Sequence, residues 1–183
     1  AVRRILLTLL TDCKLRKALD AYCRKDIVKG APFLGTDVAS LFLKEVGIDN
    51  GKTKLLRARD PIDVRENEFF QLAGSLADDY VASLSQTPST FPGSNVEEPP
   101  SSLLWAWYFK AQLLEFSGNL KDALQLIEKC IEHTPTCVDI YERKARLLKL
   151  GGDIEAAAQC IDKARELDKQ DRYINNKATK YLL

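Results

Sequence analysis

Histidine occurs once in these 183 residues and methionine not at all. The lone His133 excludes most histidine-centred catalytic designs, which need a base together with its orienting partners. Glycine-rich nucleotide motifs are missing as well. There is no G-x-G-x-x-G, no phosphate-binding loop and no G-x-S-x-G turn. Long apolar runs are absent: the longest, Ile5 to Leu10, falls far short of the roughly 20 residues that a membrane span requires. Arg3 and Arg4 precede that run, but Asp12 follows it at once and no small-residue cleavage pattern appears, so a signal peptide is not expected. Beginning at Ala1 and stopping inside a helical pattern at Leu183, the chain reads as a segment of something longer.

Cysteine is present but unorganised. Cys13, Cys23, Cys130, Cys137 and Cys160 are odd in number and irregular in spacing, with no C-x-x-C pair. Unpaired, mostly buried thiols in a reducing compartment, by default the cytoplasm, are expected. Cys130, His133 and Cys137 form a C-x2-H-x3-C string, but structural zinc takes four ligands. The repeat frame described below accounts for these three residues without a metal, so no metal site and no catalytic residue is expected.

Charge is ordinary in total and uneven in place. Residues 1–60 carry 13 Lys and Arg against 7 Asp and Glu, a balance of +6. Residues 61–101 carry 1 against 7, a balance of −6. The basic first third suits an acidic surface such as ribosomal RNA, although a solvated basic face has the same composition. No sequence-specific nucleic-acid binding is expected.

Helical periodicity dominates what is there. Leu15, Ala18, Leu19 and Tyr22 predict a helix from about Asp12 to Val28, ended by Lys29-Gly30 and Pro32. Thr36 or Asp37 is expected to cap a second helix running to about Val46, with Gly47 stopping it. Asp49-Asn50-Gly51-Lys52 reads as a turn cluster, and the basic stretch to Arg59 as an exposed loop. A long helix is predicted over Ile62–Leu84, with Phe69, Leu72, Leu76 and Tyr80 on one stripe. Residues 86–101, rich in Pro, Ser and Gly, form a connecting loop, after which Ser101 or Ser102 is expected to cap the next helix. The chain thus divides into a helical, degenerate repeat-like region over 1–85, the loop 86–101, and a repeat region over 102–183.

That last region aligns with itself at a shift of 34. Trp107 falls on Tyr141, Ala111 on Ala145, Leu114 on Leu148, Gly118 on Gly152, Ala123 on Ala157 and Ile127 on Ile161. This period and this set of residues are the tetratricopeptide signature. The aromatic fills the gap between two helices, and the alanines sit where helices A and B approach most closely. Each glycine ends helix A in a left-handed cap. Helix pairs are predicted over 104–117 with 120–133 and 138–151 with 154–167, in repeats 104–137 and 138–171. A degenerate third repeat opens at Arg172. The expected fold is all-α, a tetratricopeptide-repeat solenoid of antiparallel helix pairs.

In such a solenoid helix A lines the concave side. Tyr108, Gln112 and Glu115 from the first repeat, Arg146 and Lys149 from the second, and Lys180 from the third are the expected partner-binding residues. Lys177 lies nearby, so the second and third repeats offer basic side chains to an acidic partner face or a polyphosphate. A carboxylate clamp of the chaperone-binding type is not expected. Its places hold Tyr108, Gln112, Arg143, Tyr173 and Lys177, and too few agree.

Beyond the repeats, three strings are specific. They are Arg3-Arg4-Ile5-Leu6-Leu7 onward to Leu43, with Lys29-Gly30-Ala31-Pro32 inside; Glu97-Glu98-Pro99-Pro100-Ser101-Ser102-Leu103-Leu104-Trp105; and Asp171-Arg172-Tyr173-Ile174-Asn175-Asn176-Lys177 to Lys180-Tyr181-Leu182. Together they make the chain resemble the auxiliary subunit of the NatA amino-terminal acetyltransferase. About Gly47 to Asn67 departs from that family as an insertion. The resemblance implies a non-catalytic scaffold that binds and positions a catalytic acetyltransferase subunit and helps dock it at the ribosome. It implies, too, that catalysis and the acetyl-coenzyme A site belong to the partner. An inositol polyphosphate at the subunit junction is implied, for which Arg146, Lys149, Lys177 and Lys180 are the candidates. The alternative is a generic repeat adaptor that binds a peptide or protein in its concave groove.

Overall fold

The computed structural model describes residues 10, 12–43, 45–49, 52–55 and 64–182. Among them the chain forms eight helices and one short hairpin, in the order α1 (Asp12–Val28), α2 (Leu34–Ala39), β1 (Glu45–Asp49), β2 (Lys52–Leu55), α3 (Glu68–Leu84), α4 (Pro100–Phe116), α5 (Leu120–His133), α6 (Val138–Leu150), α7 (Ile154–Leu167) and α8 (Arg172–Leu182). It divides into two compact units, Ala1–Gly118 and Asn119–Leu183. Among the described residues no helix is long and apolar enough to cross a membrane. All five cysteines lie within the described residues and none is disulfide-bonded.

In the first unit, Leu15, Leu19, Cys23 and Ile27 recur every four residues along α1 and are all buried, the stripe that a 3.6-residue turn produces. They join Leu34 and Val38 of α2, Leu76 and Tyr80 of α3, and Phe109 and Leu113 of α4 in one core. Phe42 meets Phe70 and Phe116 edge-on, with ring centres 5.2 and 5.8 Å apart, the geometry that aromatic quadrupoles favour.

Five local expectations need correction here. Phe33, not Thr36 or Asp37, sits at the start of α2. The turn after Pro32 begins the helix early and leaves Asp37 in its first turn, where its carboxylate accepts from the Tyr22 hydroxyl. That helix stops at Ala39 rather than about Val46. Ser40 Oγ donates to the Asp37 carbonyl, and Leu41 and Phe42 close tight three-residue turns onto Val38 and Ala39. Residues 45–49 and 52–55, where a helix end and a loop were expected, pair instead as antiparallel strands with Asp49 opposite Lys52, on either side of the expected turn cluster, whose Asn50 and Gly51 lie outside the described residues. The intervening Asn50-Gly51 is the dipeptide that two-residue hairpins prefer. Helix α4 starts on Pro100 with Pro99 as its cap residue, not on Ser101 or Ser102. Proline is pre-set for the first helical position and has no N–H to satisfy. The long helix predicted from Ile62 begins at Glu68, capped by the Asn67 side chain, which accepts from the Phe69 and Phe70 amides. Ile62 itself lies outside the described residues.

The second unit follows the repeat frame closely. Asn119 and Asp153 cap α5 and α7, accepting from the amides of Asp122 and Ala156. The expected left-handed glycines are there: Gly118, the last residue of the first unit, has φ +77°, and Gly152 of the second has φ +91°. At Gly152 the chain reverses between α6 and α7 with Asp153 N–H donating to Leu148 O and Gly152 N–H to Lys149 O, the paired bonds of a left-handed helix end. Ala145, Ile161, Ala164, Ile174 and Ala178 make the core, with Tyr141 and Tyr181 packed against it. The Tyr141 hydroxyl donates to Pro135 O at 3.0 Å. Its repeat counterpart in the first unit, Trp107, is half-buried as Tyr141 is.

Candidate partner and anion-binding face

On α6, Glu142, Arg146 and Lys149 recur at spacings of four and three, so they share one helix face. On α8, Tyr173, Lys177 and Tyr181 recur every four residues. The two stripes meet. Lys177 Nζ pairs with Glu142 Oε1, each side chain about one-fifth exposed. The Tyr173 hydroxyl donates to the same carboxylate oxygen at 3.0 Å. Lys177 also donates to the Tyr173 hydroxyl at 3.1 Å. One turn further on, Lys149 Nζ stands 4.4 Å from the centre of the Tyr181 ring, within the range of a cation–π contact.

Electrostatics binds this cluster together. Burial alone would lower the Lys177 ammonium. Its bonds to Glu142 and Tyr173 and the Glu142 charge outweigh that and hold it above the ordinary lysine value. For Tyr181, burial raises the phenol while Lys177 and Arg146 pull it back, so the guanidinium of Arg146 acts on the same ring. Asp139, one turn before Glu142, is raised by burial and by the neighbouring Glu142 charge.

Three of the four anticipated anion-binding cations, Arg146, Lys149 and Lys177, are therefore gathered around Tyr181. Lys180 is exposed, one turn beyond Lys177. Sequence reasoning missed Glu142, which sits as a built-in counter-ion among them, and the part played by Tyr173 and Tyr181. The four-residue spacing in α8 was the available signal. A guanidinium and ammonium groups beside phenolic hydroxyls fit the oxygens of a phosphorylated ligand, with Glu142 opposing an anion at Lys177. Among the described residues no cluster of His, Cys, Asp and Glu is placed to hold a metal. Cys130 is buried, which pushes its thiol up to about 12.

The first-repeat residues lie elsewhere, and here the groove expectation is corrected. Tyr108, Gln112 and Glu115 are 3%, 1% and 8% exposed, too little to meet a partner. Gln112 is spent inside the fold: its Oε1 accepts from Gly35 N–H at 3.0 Å and its Nε2 donates to Pro32 O at 2.9 Å. Tyr108 packs edge-on against Trp105, with centres 5.4 Å apart. The physical reason is that α1, α2 and α3 all pack against α4. They cover the side that a bare repeat would turn to the groove.

A family model described as "N-terminal acetyltransferase A, auxiliary subunit" matches residues 1–183. The chain belongs to the NatA auxiliary-subunit family. Among its relatives is the N-terminal acetyltransferase A complex auxiliary subunit NAA15 of Arabidopsis thaliana, 37% identical over 100% of this chain and 18% of that protein. The N-alpha-acetyltransferase 16, NatA auxiliary subunit of Homo sapiens is 33% identical over 99% of this chain and 18% of its own length. The chain thus spans less than a fifth of these relatives. A chain in the solved structure of Naa15/Naa10 bound to HypK-THB superposes with a TM-score of 0.72 at 29% identity, covering 98% of this chain and 23% of that one. For this NatA auxiliary-subunit member the fold is accordingly a tetratricopeptide-repeat helical solenoid.

Proposed function

We propose that this chain is part of a non-catalytic scaffold that binds and positions the catalytic subunit of an N-terminal acetyltransferase and helps dock it at the ribosome. The observation that carries this reading is the family match along the whole chain. The relative of known structure, Naa15/Naa10 bound to HypK-THB, supports a protein partner held by the helices. The mechanism is selection: binding energy spent on one conformer of the partner raises the population of that conformer. Catalysis then lies in the partner, and the location is cytoplasmic. Docking at an RNA-rich surface is supported by α1 and the turn after it, where Lys14, Arg16, Lys17, Lys25 and Lys29 are exposed. Acetyl-coenzyme A with a short Ser-starting peptide tests the non-catalytic half: this chain alone turns over none of it, and measurable turnover contradicts the reading.

In the same proposal Arg146, Lys149, Lys177 and Lys180 hold an inositol polyphosphate. Bound there, its phosphates supply anionic charge between basic groups that would otherwise repel a basic partner face. Reversing Lys149 or Lys180 to Glu is expected to weaken inositol hexakisphosphate binding by about tenfold each, because each change replaces an attraction with a repulsion. Isothermal calorimetry reads the effect directly, and unchanged affinity removes these residues from the site.

A further inference from the structure

The first unit contains a charged cleft beside that basic face of α1, sharing Arg16 and Lys17 with it. It has a volume of about 270 Å³ and opens between α1, α3 and the loop at Pro92. Its charges are arranged with little freedom. Arg24 Nε donates to Asp20 Oδ1 at 2.8 Å and Arg24 Nη2 to Pro92 O at 2.8 Å. The same guanidinium lies 5.2 Å from the Phe91 ring centre and 5.8 Å from that of Tyr80. Tyr80 donates to Asp20 Oδ1 at 2.6 Å, and burial, then Cys23 and Asp20, raise the phenol so that it stays a neutral donor. Across the cleft Arg16 Nη2 pairs with Asp79 Oδ2 at 2.8 Å.

The charge count then decides what fits. Both carboxylates in the lining, Asp20 and Asp79, already have an arginine. Lys17, exposed at the rim, has no carboxylate partner among the described residues. Among the described residues Arg24 keeps its Nη1 donors unspent, on a guanidinium fixed from four sides. The cleft is therefore short of one negative charge and offers pre-positioned donors for it, which lowers the ordering cost of binding. A doubly charged group would add repulsion from Asp20 and Asp79 for its second charge. Small-molecule pockets run from about 300 Å³ upward, so the volume suits one side chain or a chain end rather than a cofactor.

We propose that this cleft binds a single carboxylate of a polypeptide partner, held between Lys17 and the open edge of Arg24, with Arg16–Asp79 and Asp20–Tyr80 fixing the walls. The site lies in a different unit from the basic face of α6 and α8, and the inference does not depend on what that face binds.

The test is a titration of the isotope-labelled 183-residue chain followed by amide chemical shifts, using three short amino-acetylated peptides. One ends in a free carboxylate, one is its carboxamide, and one is a carboxamide carrying a central Glu. At least one of the two carboxylate-bearing peptides is expected to move the resonances of residues 16–24, and the neutral one to leave them in place. Which of the two binds identifies the source as chain end or side chain. Lys17→Glu, at an exposed position that leaves the core untouched, is expected to weaken the binding by about tenfold. Four results overturn the proposal: no shifts with either carboxylate, equal shifts with the neutral peptide, tighter binding of inorganic phosphate than of the peptides, or an affinity indifferent to Lys17→Glu.

Discussion

Gly35→Ala is expected to destabilise the first unit by about 3 kcal/mol, an overpacking cost with the loss of a buried hydrogen bond added to it. A Cβ built on Gly35 would lie 2.4 Å from Gln112 Oε1, 2.5 Å from Gln112 Cβ and 2.7 Å from Gln112 Cδ. The amide end could swing aside, but only by abandoning the Gly35 N–H and the Pro32 carbonyl that it satisfies. Gln112 Cβ cannot swing at all, because it is fixed to the backbone of α4. Relief therefore requires α2 and α4 to separate, and the two helices share one buried core. Gln112→Ala is expected to cost about as much by another route, a cavity plus two stranded backbone groups. Together the two changes should cost less than their sum, since each breaks the same bond. A deficit remains because the Cβ contact persists. Both tryptophans, Trp105 and Trp107, lie in this unit, so tryptophan fluorescence during urea unfolding reads the effect. A Gly35→Ala midpoint within error of the parent would mean that α2 and α4 are not in this contact.

Ala145→Leu is expected to be the matching failure in the second unit, again at about 3 kcal/mol. Ala145 is 0% exposed and sits in α6 among Ile161 and Ala164 of α7 and Ile174 and Ala178 of α8. Three added carbons have no void to enter in an interior packed at crystal density. As a control, Glu155→Leu on the exposed side of α7 should change stability by no more than about 0.5 kcal/mol. Circular dichroism at 222 nm during thermal unfolding separates the two variants. Ala145→Leu melting with its parent would show that the alanine is not a close-approach residue and would remove the reason for the repeat's small side chains.

How much of this could be read from residues alone depended on where the deciding interaction lay. Several helix limits and the repeat glycines are set locally, and these were legible, whereas the two caps expected at Thr36 or Asp37 and at Ser101 or Ser102 were not. The α1 limits are Asp12 and Val28 as expected, α5 and α7 run over 120–133 and 154–167 as expected, and Gly118 and Gly152 adopt the positive φ that the repeat demands. The α2 end was not legible, because besides the local bond from Ser40 to Asp37 it depends on Phe42 joining an aromatic trio with Phe70 and Phe116, contacts that cross the chain. The hairpin announced itself only through Asn50-Gly51, a signal that also marks ordinary turns.

The candidate site divides in the same way. Arg146, Lys149 and Lys177 followed from the repeat frame and come together. Tyr108, Gln112 and Glu115 occupy equivalent helix-A places, yet three earlier helices cover them. Repeat arithmetic carries no record of what packs outside the repeat. Glu142 escaped notice because a carboxylate among cations reads, one residue at a time, as ordinary surface charge.

Mass spectrometry of the proteins that co-purify with this protein in stoichiometric amount from its own cells tests the account most directly. A scaffold of the NatA auxiliary family should bring down a small catalytic acetyltransferase subunit. Partners that are enriched at that level but include no acetyltransferase would contradict the account and leave a general peptide-docking adaptor in its place.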